Sequence, residues 1–332
     1  MKAYRLVNQQ QLAYQELPMP EPQSGELLIQ IAHCGICRTD RKCYAMGQRD
    51  LHMPRILGHE ITGKVYALGS DVTGYQLGQR VVLHPGVSCG TCEFCRSDRD
   101  QLCHEMQIFG FHLDGGFAEY CLVPAQGVKN HIVIPIPDSL DFKTAALAEP
   151  LACAVNMKEK MPNQIKHLVI FGGGALGTLT ALLWIETESS DVTVVEPNQW
   201  KRDVLSGLHI RSVSSVEDLT EAVDAVINCC PDPSVFEAAL NLLIPGGILG
   251  YFSGLTGADG IPQKTINQIH YKELCIVGAY GCALHHTQQA VKYLTQGLAD
   301  AVAKSSISLS ELPVHIASLE QDQAIFTAIN LL

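Results

Sequence analysis

The chain has 332 residues, 47% of them apolar, which is enough for two domains with a core each. A formal net charge of −11 argues against a nucleic-acid or anionic-membrane surface, since either would need clustered Lys and Arg; the expected partner is a small molecule. Thirteen cysteines would suit a disulfide-built secreted protein. They are instead diluted over a full-sized chain with no signal peptide ahead of them, and read as the reduced thiols of a cytoplasmic protein.

In chain order, the first 145 residues or so read as short strands separated by Gly and Pro: Lys2–Val7, Leu27–His33, Ile61–Leu68, Arg80–Leu83 and Ala118–Val123. Within this all-β texture, Cys89, Cys92, Cys95 and Cys103 lie in one loop. Cysteines two residues apart let a tight turn supply several thiolates, and four such ligands close the tetrahedron of a structural zinc. The segment Asp141–Lys160 reads as an ordered joint. From Lys166 onward apolar strands alternate with helices: strand His167–Phe171, helix Ala175–Glu186, strand Val192–Val195, strand Asp224–Asn228, helix Val235–Leu243 and strand Ile248–Phe252. That alternation implies a parallel, doubly wound sheet. The uncharged run Leu168–Ile185 is interrupted early by Gly172, Gly173 and Gly174, which favours strand, turn and buried helix over a membrane span. The last fifty residues or so are short for a third domain and are expected to pack back on the first.

Gly172-Gly173-Gly174-Ala175-Leu176-Gly177 follows an apolar strand and opens an apolar helix. In that context Gly-x-Gly-x-x-Gly is a dinucleotide fingerprint. Gly172 makes the tight turn, Gly174 clears space for the pyrophosphate, and Gly177 lets helix and strand pack closely, with the anion at the helix N-terminus. Glu196 lies 19 residues past Gly177 at the end of the next strand. There a carboxylate accepts hydrogen bonds from ribose hydroxyls and repels a 2′-phosphate, predicting NAD over NADP. Lys201 and Arg202 follow closely and would partly offset that repulsion.

Cys37, in Gly35-Ile36-Cys37-Arg38-Thr39-Asp40, and His59, in Gly58-His59-Glu60, supply one sulfur and one imidazole. Each alone is more often a small buried hydrophobe or a satisfied polar residue than a ligand. Taken with the cysteine loop, Gly115-Gly116-Phe117-Ala118-Glu119-Tyr120, Glu149-Pro150-Leu151 and the glycine fingerprint, they make residues 1 to about 290 resemble the zinc-dependent medium-chain alcohol dehydrogenases. The resemblance implies an α/β two-domain chain. Residues 1–150 would form a GroES-like β-barrel catalytic domain, residues 151–280 a Rossmann domain, and residues 281–332 a segment returning to the first. It implies two zinc ions per chain and NAD.

By the same resemblance Cys37 and His59 are ligands of a catalytic zinc. The third position, cysteine in liver-type enzymes and acidic in many polyol, sugar and threonine dehydrogenases, holds Glu149, which points to the polyol branch. Glu60 is implied as a possible alternate ligand. Cys153 and Cys34 are neighbouring decoys. Three protein ligands leave an open position at which zinc polarises a substrate hydroxyl, and Thr39 matches the family's proton-relay hydroxyl. Two departures stand out: Lys42 replaces the histidine that ends the relay in many relatives, and Ile325–Leu332 lacks the terminal Gly-Lys-Val strand. The activity so implied is NAD-linked oxidation of a secondary alcohol, namely a polyol, a cyclitol or aminocyclitol, or a hydroxy amino acid such as threonine, by a homo-oligomer (dimer or tetramer). The alternatives are a short-chain alcohol dehydrogenase or aldehyde reductase, and a non-catalytic zinc- and NAD-binding redox sensor.

Overall fold

The computed structural model describes residues 1–162, 165–188, 190–255, 260–318 and 324–332. They divide into two compact units, Met1–Ala152 with Cys282–Leu332, and Cys153–Gly281.

In the first unit β1 (Lys2–Asn8) and β2 (Gln11–Glu16) form an antiparallel hairpin. There follow β3 (Leu27–Gly35), α1 (Arg38–Met46), β4 (Glu60–Leu68), β5 (Arg80–Leu83), β6 (Gly86–Val87), α2 (Glu93–Arg96), β7 (Gln107–Ile108), β8 (Tyr120–Val123), α3 (Ala125–Lys129), β9 (Val133–Pro135) and α4 (Phe142–Ala145). Helix α5 (Ala148–Lys160) begins in this unit and carries the chain into the next. The strands are short and rich in β-branched residues, as a sheet wrapped around one core requires. Ile29, Ile31, Ile61, Val65, Val81 and Leu83 all fall in that core, together with Phe109 and Phe117.

The second unit runs β10 (His167–Phe171), α6 (Ala175–Thr187), β11 (Asp191–Val195), α7 (Gln199–Gly207), β12 (Arg211–Val213), β13 (Val223–Asn228), α8 (Ser234–Leu242), β14 (Leu243–Tyr251), α9 (Gln263–Tyr271) and β15 (Cys275–Gly278). Its sheet has the order β12-β11-β10-β13-β14-β15, with every pair parallel. Alternate residues of β10 serve opposite faces. Leu168 and Ile170 pack with Ala181, Trp184 and Leu205, while Val169 and Phe171 pack with Val235, Phe236 and Leu240. A sheet buried on both sides explains why its strands read as continuous apolar runs. The strand order reverses between β10 and β13, and their carboxyl ends frame the crevice in which such sheets bind ligands. The charge-free run Leu168–Ile185 is β10 and most of α6, and among the described residues no helix is long and apolar enough to cross a membrane.

The chain then returns to the first unit through α10 (Leu284–Thr295), β16 (Ser305–Ser308), α11 (Leu312–Ala317) and β17 (Thr327–Asn330). The large sheet of that unit has the order β16-β17-β3-β4-β5-β9, with β8 also on β3. A terminal strand is therefore present although the Gly-Lys-Val residues are not. Ala328 pairs with Gly35 and Ile329 with Cys34, so β17 braces the end of β3 that leads to Cys37. A second difference is β14, which begins at Leu243 rather than Ile248. Its pairing with β13 jumps from Val223–Leu243 to Ala225–Ile248, because Pro245, Gly246 (φ 78°) and Gly247 form an irregular excursion between the two paired stretches.

Candidate active site

Cys37 caps α1 and His59 precedes β4, so two separate segments must be brought into register to place both side chains. One buried carboxylate does this. Asp40, fully buried in the first turn of α1, accepts from the Cys37 backbone N–H at Oδ2 (2.9 Å) and from the Gly58 N–H at Oδ1 (3.2 Å). Its Oδ1 also lies 3.5 Å from His59 Nδ1. The Thr39 N–H points back at Cys37 Sγ (3.4 Å). The third side chain comes from the strand pair: Glu60 faces Gly35 in the β3–β4 register, and a Cβ on Gly35 would stand 1.8 Å from Glu60 Oε2. Glycine at that position is what admits the carboxylate.

Donor atoms of Cys37, His59 and Glu60 all lie within 4.8 Å of one another. Glu60 Oε2 is buried without a hydrogen-bond partner, a costly state for a polar atom that a bound cation relieves. Burial pushes the Cys37 thiol up. Burial, and after it the charge of Glu149, holds the Glu60 carboxyl well above the usual carboxylate range. Burial, the largest single influence, opposes a charge on His59, but the Asp40 carboxylate and the Cys37 sulfur together outweigh it and keep the imidazole well above its ordinary value. A sulfur, an imidazole and a carboxylate, crowded together and out of water, fit a zinc ion in both donor type and charge.

The two acidic candidates lie in adjoining donor groups. Glu60 joins Cys37 and His59, whereas Glu149, in the first turn of α5, lies near enough for its charge to act on Glu60 but presents its carboxylate to Cys282, within 4.8 Å. Cys153 follows one turn after Glu149 on the same helix. Cys34 is fully buried, and its sulfur occupies the space that side chains on Gly58 and Gly116 would need, which turns it away from Cys37. Thr39 is half-buried on the first turn of α1, while Arg38 and Lys42 are exposed.

The cysteine loop is built as a separate site. Donor atoms of Cys89, Cys92, Cys95 and Cys103 lie within 4.8 Å of one another, with Cys89–Cys95 and Cys92–Cys95 sulfurs 3.9 and 3.5 Å apart. Disulfide sulfurs would be about 2.05 Å apart, whereas a tetrahedron of zinc–sulfur bonds of about 2.3 Å separates its sulfurs by about 3.8 Å. Backbone donors are already aimed at the sulfurs, from Cys89 and Glu105 to Cys103 Sγ at 3.3 and 3.4 Å. The Thr91 and Cys92 amides bring the Cys89 thiol down to about 6, while burial pushes Cys103 up to about 12. Asn130 and Gln126 of the α3 region tie down the base of the loop through Ser88 O (2.6 Å) and Cys89 O (3.4 Å). Nothing in the sequence marked these two amides, because long-range side-chain bonds to backbone carry no local pattern.

In the second unit each fingerprint glycine has its own reason. Gly172 has φ 100°, a conformation that favours glycine. A Cβ on Gly177 would sit 1.8 Å from Gly172 O, whereas one on Gly174 would meet nothing within 4 Å, leaving open space at the start of α6. Gly174 is the N-cap and Ala175 and Leu176 open the helix, with no side chain capping it, so first-turn amides remain for an anion. Glu196 is buried and closes over this loop, accepting from the Gly173 N–H at Oε2 (2.8 Å) and the Asn198 N–H at Oε1 (2.9 Å). Lys201 Nζ lies 3.6 Å from the same Oε2. Arg202 is turned onto the Glu196 and Pro197 carbonyls, at 2.7 Å each.

Residues 23–138 match the alcohol dehydrogenase GroES-like domain. The chain is 32% identical over 298 residues to the L-threonine 3-dehydrogenase of Pyrococcus abyssi, covering 85% of this chain and 83% of that one. It is 26% identical over 330 residues to the L-threonine 3-dehydrogenase of Yersinia enterocolitica, covering 94% and 91%. A protein of Sinorhizobium meliloti 1021 described as a zinc-binding dehydrogenase, and solved with NADP bound, superposes with a TM-score of 0.90 at 28% identity, over 99% of this chain and 98% of that one. Fold, donor clusters and relatives agree: the chain belongs to the zinc-dependent medium-chain dehydrogenase family. Its activity is accordingly that of an NAD(P)-dependent alcohol or polyol dehydrogenase.

Proposed function

We propose that this enzyme is zinc-dependent and NAD-linked, and that it oxidises a secondary alcohol bearing a neighbouring polar group to the ketone. The substrate classes are a polyol, a cyclitol or aminocyclitol, or a hydroxy amino acid of the threonine type. The observation that carries the reading is the buried Cys37, His59 and Glu60 donor set, with a further carboxylate, Glu149, beside it. The threonine dehydrogenases among its relatives support the same class of substrate.

Cys37 and His59 would hold the catalytic zinc with Glu60 or Glu149 as the third ligand, and Cys89, Cys92, Cys95 and Cys103 would hold a structural one. When bound, the catalytic zinc supplies Lewis acidity toward the substrate hydroxyl and the nicotinamide supplies the hydride acceptor. The residues do the rest. Asp40 fixes Cys37 and His59 relative to each other. Thr39, whose hydroxyl both donates and accepts, takes the proton that the substrate hydroxyl gives up. Solvent receives it next, because the ammonium of Lys42, exposed on the same helix, has no lone pair with which to accept it. The open start of α6 takes the pyrophosphate, with Gly172, Gly174 and Gly177 shaping the approach. Glu196 serves the adenosine ribose, its buried carboxylate disfavouring a 2′-phosphate while Lys201 tempers that preference. The enzyme works in the cytoplasm as a dimer or tetramer.

A panel of polyols, aminocyclitols, threonine and simple short-chain alcohols, scored for NAD reduction, tests the reading. Turnover should favour substrates with a second hydroxyl or an amine next to the reacting carbon. Equal or better turnover of simple alcohols would replace it with a short-chain alcohol dehydrogenase.

A further inference from the structure

Beside Glu149 lies a buried polar corner that the proposed reaction does not use. The Glu149 carboxylate and the Cys282 sulfur are within 4.8 Å of each other, and Cys282 Sγ is 3.7 Å from Thr287 Oγ1 on α10. That hydroxyl lies 2.8 Å from Nδ1 of His84, the residue that follows β5. The ring also hydrogen-bonds to the Cys282 sulfur and feels the charges of Asp100 and Glu149. His84, Cys282 and Thr287 are all buried. Polar groups closed into a buried network hold one another in place, because moving one leaves another unpaired.

The far side of the corner is held by the cysteine loop. Asp100, on the short 3₁₀ turn Asp100–Leu102 between Cys95 and Cys103, has its Oδ2 3.8 Å from His84 Nε2. Both of its oxygens accept from the Leu284 N–H, at 3.3 Å each. Helix α10 needs that acceptor. Its N-cap is Ala283, with no side-chain capping bond, and the first amides of a helix have no partner within it. The Ala283 N–H goes to His286 Nδ1 (2.8 Å). Asp100 thus caps, from 184 positions away, the helix that presents Thr287 to the ring.

We propose that His84 is a positioning residue for the reaction: by holding Cys282 and Thr287 in one arrangement it fixes the wall beside which Glu149 lies, and Asp100 anchors that wall to the cysteine loop. The loop that would hold one metal thereby braces the position of the other. The inference rests on the reading of Cys37, His59 and an adjacent carboxylate as the catalytic metal position. Glu149 is a candidate ligand there and acts on Glu60 through its charge, so a displaced Glu149 weakens the position whichever carboxylate binds. Groups that orient a ligand from outside are commonly worth tenfold or more in metal affinity. Sequence spacing hides the arrangement, because its members come from β5, the cysteine loop, the start of α5 and the start of α10.

The test is chelator competition on the zinc-loaded full-length protein, which gives the zinc dissociation constant at each position, together with kcat and KM for a responsive secondary alcohol. His84→Leu should hold zinc at the Cys37 position about tenfold more weakly and lower kcat with KM for NAD unchanged, while the cysteine loop keeps its zinc as in wild type. His84→Asn, whose amide can meet Thr287 as Nδ1 does, should restore both. Should His84→Leu not fold, Asp100→Ala should weaken zinc at the Cys37 position in the same way, and wild-type affinity there overturns the proposal. So does wild-type affinity and kcat in His84→Leu, or equal weakening of both zinc positions, as a general loss of stability would give. Cys37→Ser tests the active-site reading by itself. If it kept both zinc ions at wild-type affinity, that reading would fail; loss of one zinc there, with His84→Leu unaltered, would leave the reading intact and sink this inference alone.

Discussion

Asp40 makes the sharpest claim at the scale of single residues, because one carboxylate serves the backbone of both ligand-bearing segments. Asp40→Ala would leave the Cys37 and Gly58 N–H groups without their acceptor in a buried setting, at a cost of about 2–5 kcal/mol. A lowered thermal midpoint, with loss of the metal held by Cys37 and retention of the one held by the cysteine loop, is the expected result; intact metal content would refute the bridging role. Gly35→Ala tests the adjoining claim. Its Cβ would collide with Glu60 Oε2, so metal retention should fall at that position alone, which parallel metal analysis of the two sites can read. For the cofactor, Glu196→Ala should shift preference toward NADP, measured as the ratio of kcat/KM for the two dinucleotides; an unchanged ratio would remove Glu196 from the ribose site. Cys37, His59 and Glu60 are legible in sequence through their local runs. The pairing of Glu60 with Gly35 is not, since a strand register joins residues twenty-five positions apart.

At the level of elements, the turns and caps that hold the site in place are themselves testable. Asp141 caps α4 by accepting from the Thr144 N–H (3.0 Å). Burial works to raise its carboxyl, but the Thr144 and Lys143 donors outweigh burial and hold it below its ordinary value. Its contribution is therefore fully present above the unfolded pKa of about 3.9 and is lost as pH falls through the lower folded value. Asp141→Ala should cost about 1 kcal/mol at neutral pH and flatten that part of the acid-unfolding profile, as denaturant midpoints measured across the acid range would show. Gly177→Ala should be more severe, because its Cβ would meet Gly172 O at 1.8 Å and force α6 off β10; weakened dinucleotide binding by calorimetry is expected. In the second unit β10, α6, β11, β13, α8 and β14 were readable because a two-sided parallel sheet writes its central strands as apolar runs, whereas the helices α7 and α9 and the edge strands β12 and β15 were not legible. Nor was the early start of β14, since Pro245, Gly246 and Gly247 look like a terminus until their flanks are seen to pair with the same neighbour.

For the molecule as a whole, the α/β architecture, with a GroES-like unit and a parallel-sheet unit, was expected from the change of texture near Lys166 and from the motifs together, and the structure has it. The final segment was the least legible part. Ser305–Ser308 and Thr327–Asn330 are four-residue strands too short to show a period, and their place beside β3 is set by long-range pairing. Substrate choice is likewise unwritten in any motif, since it depends on how a pocket selects among alcohols with different neighbouring groups. Hydride transfer by this chain is expected to depend on a metal ion held at Cys37 and His59 with an adjacent carboxylate. The most direct measurement is NAD reduction with a responsive secondary alcohol before chelation, after removal of metal from the Cys37 position, and after Zn²⁺ is returned. Activity should disappear with the metal and come back with zinc in wild type but not in Cys37→Ser; undiminished turnover by the metal-free protein would show that the reaction does not need a metal at Cys37 and His59.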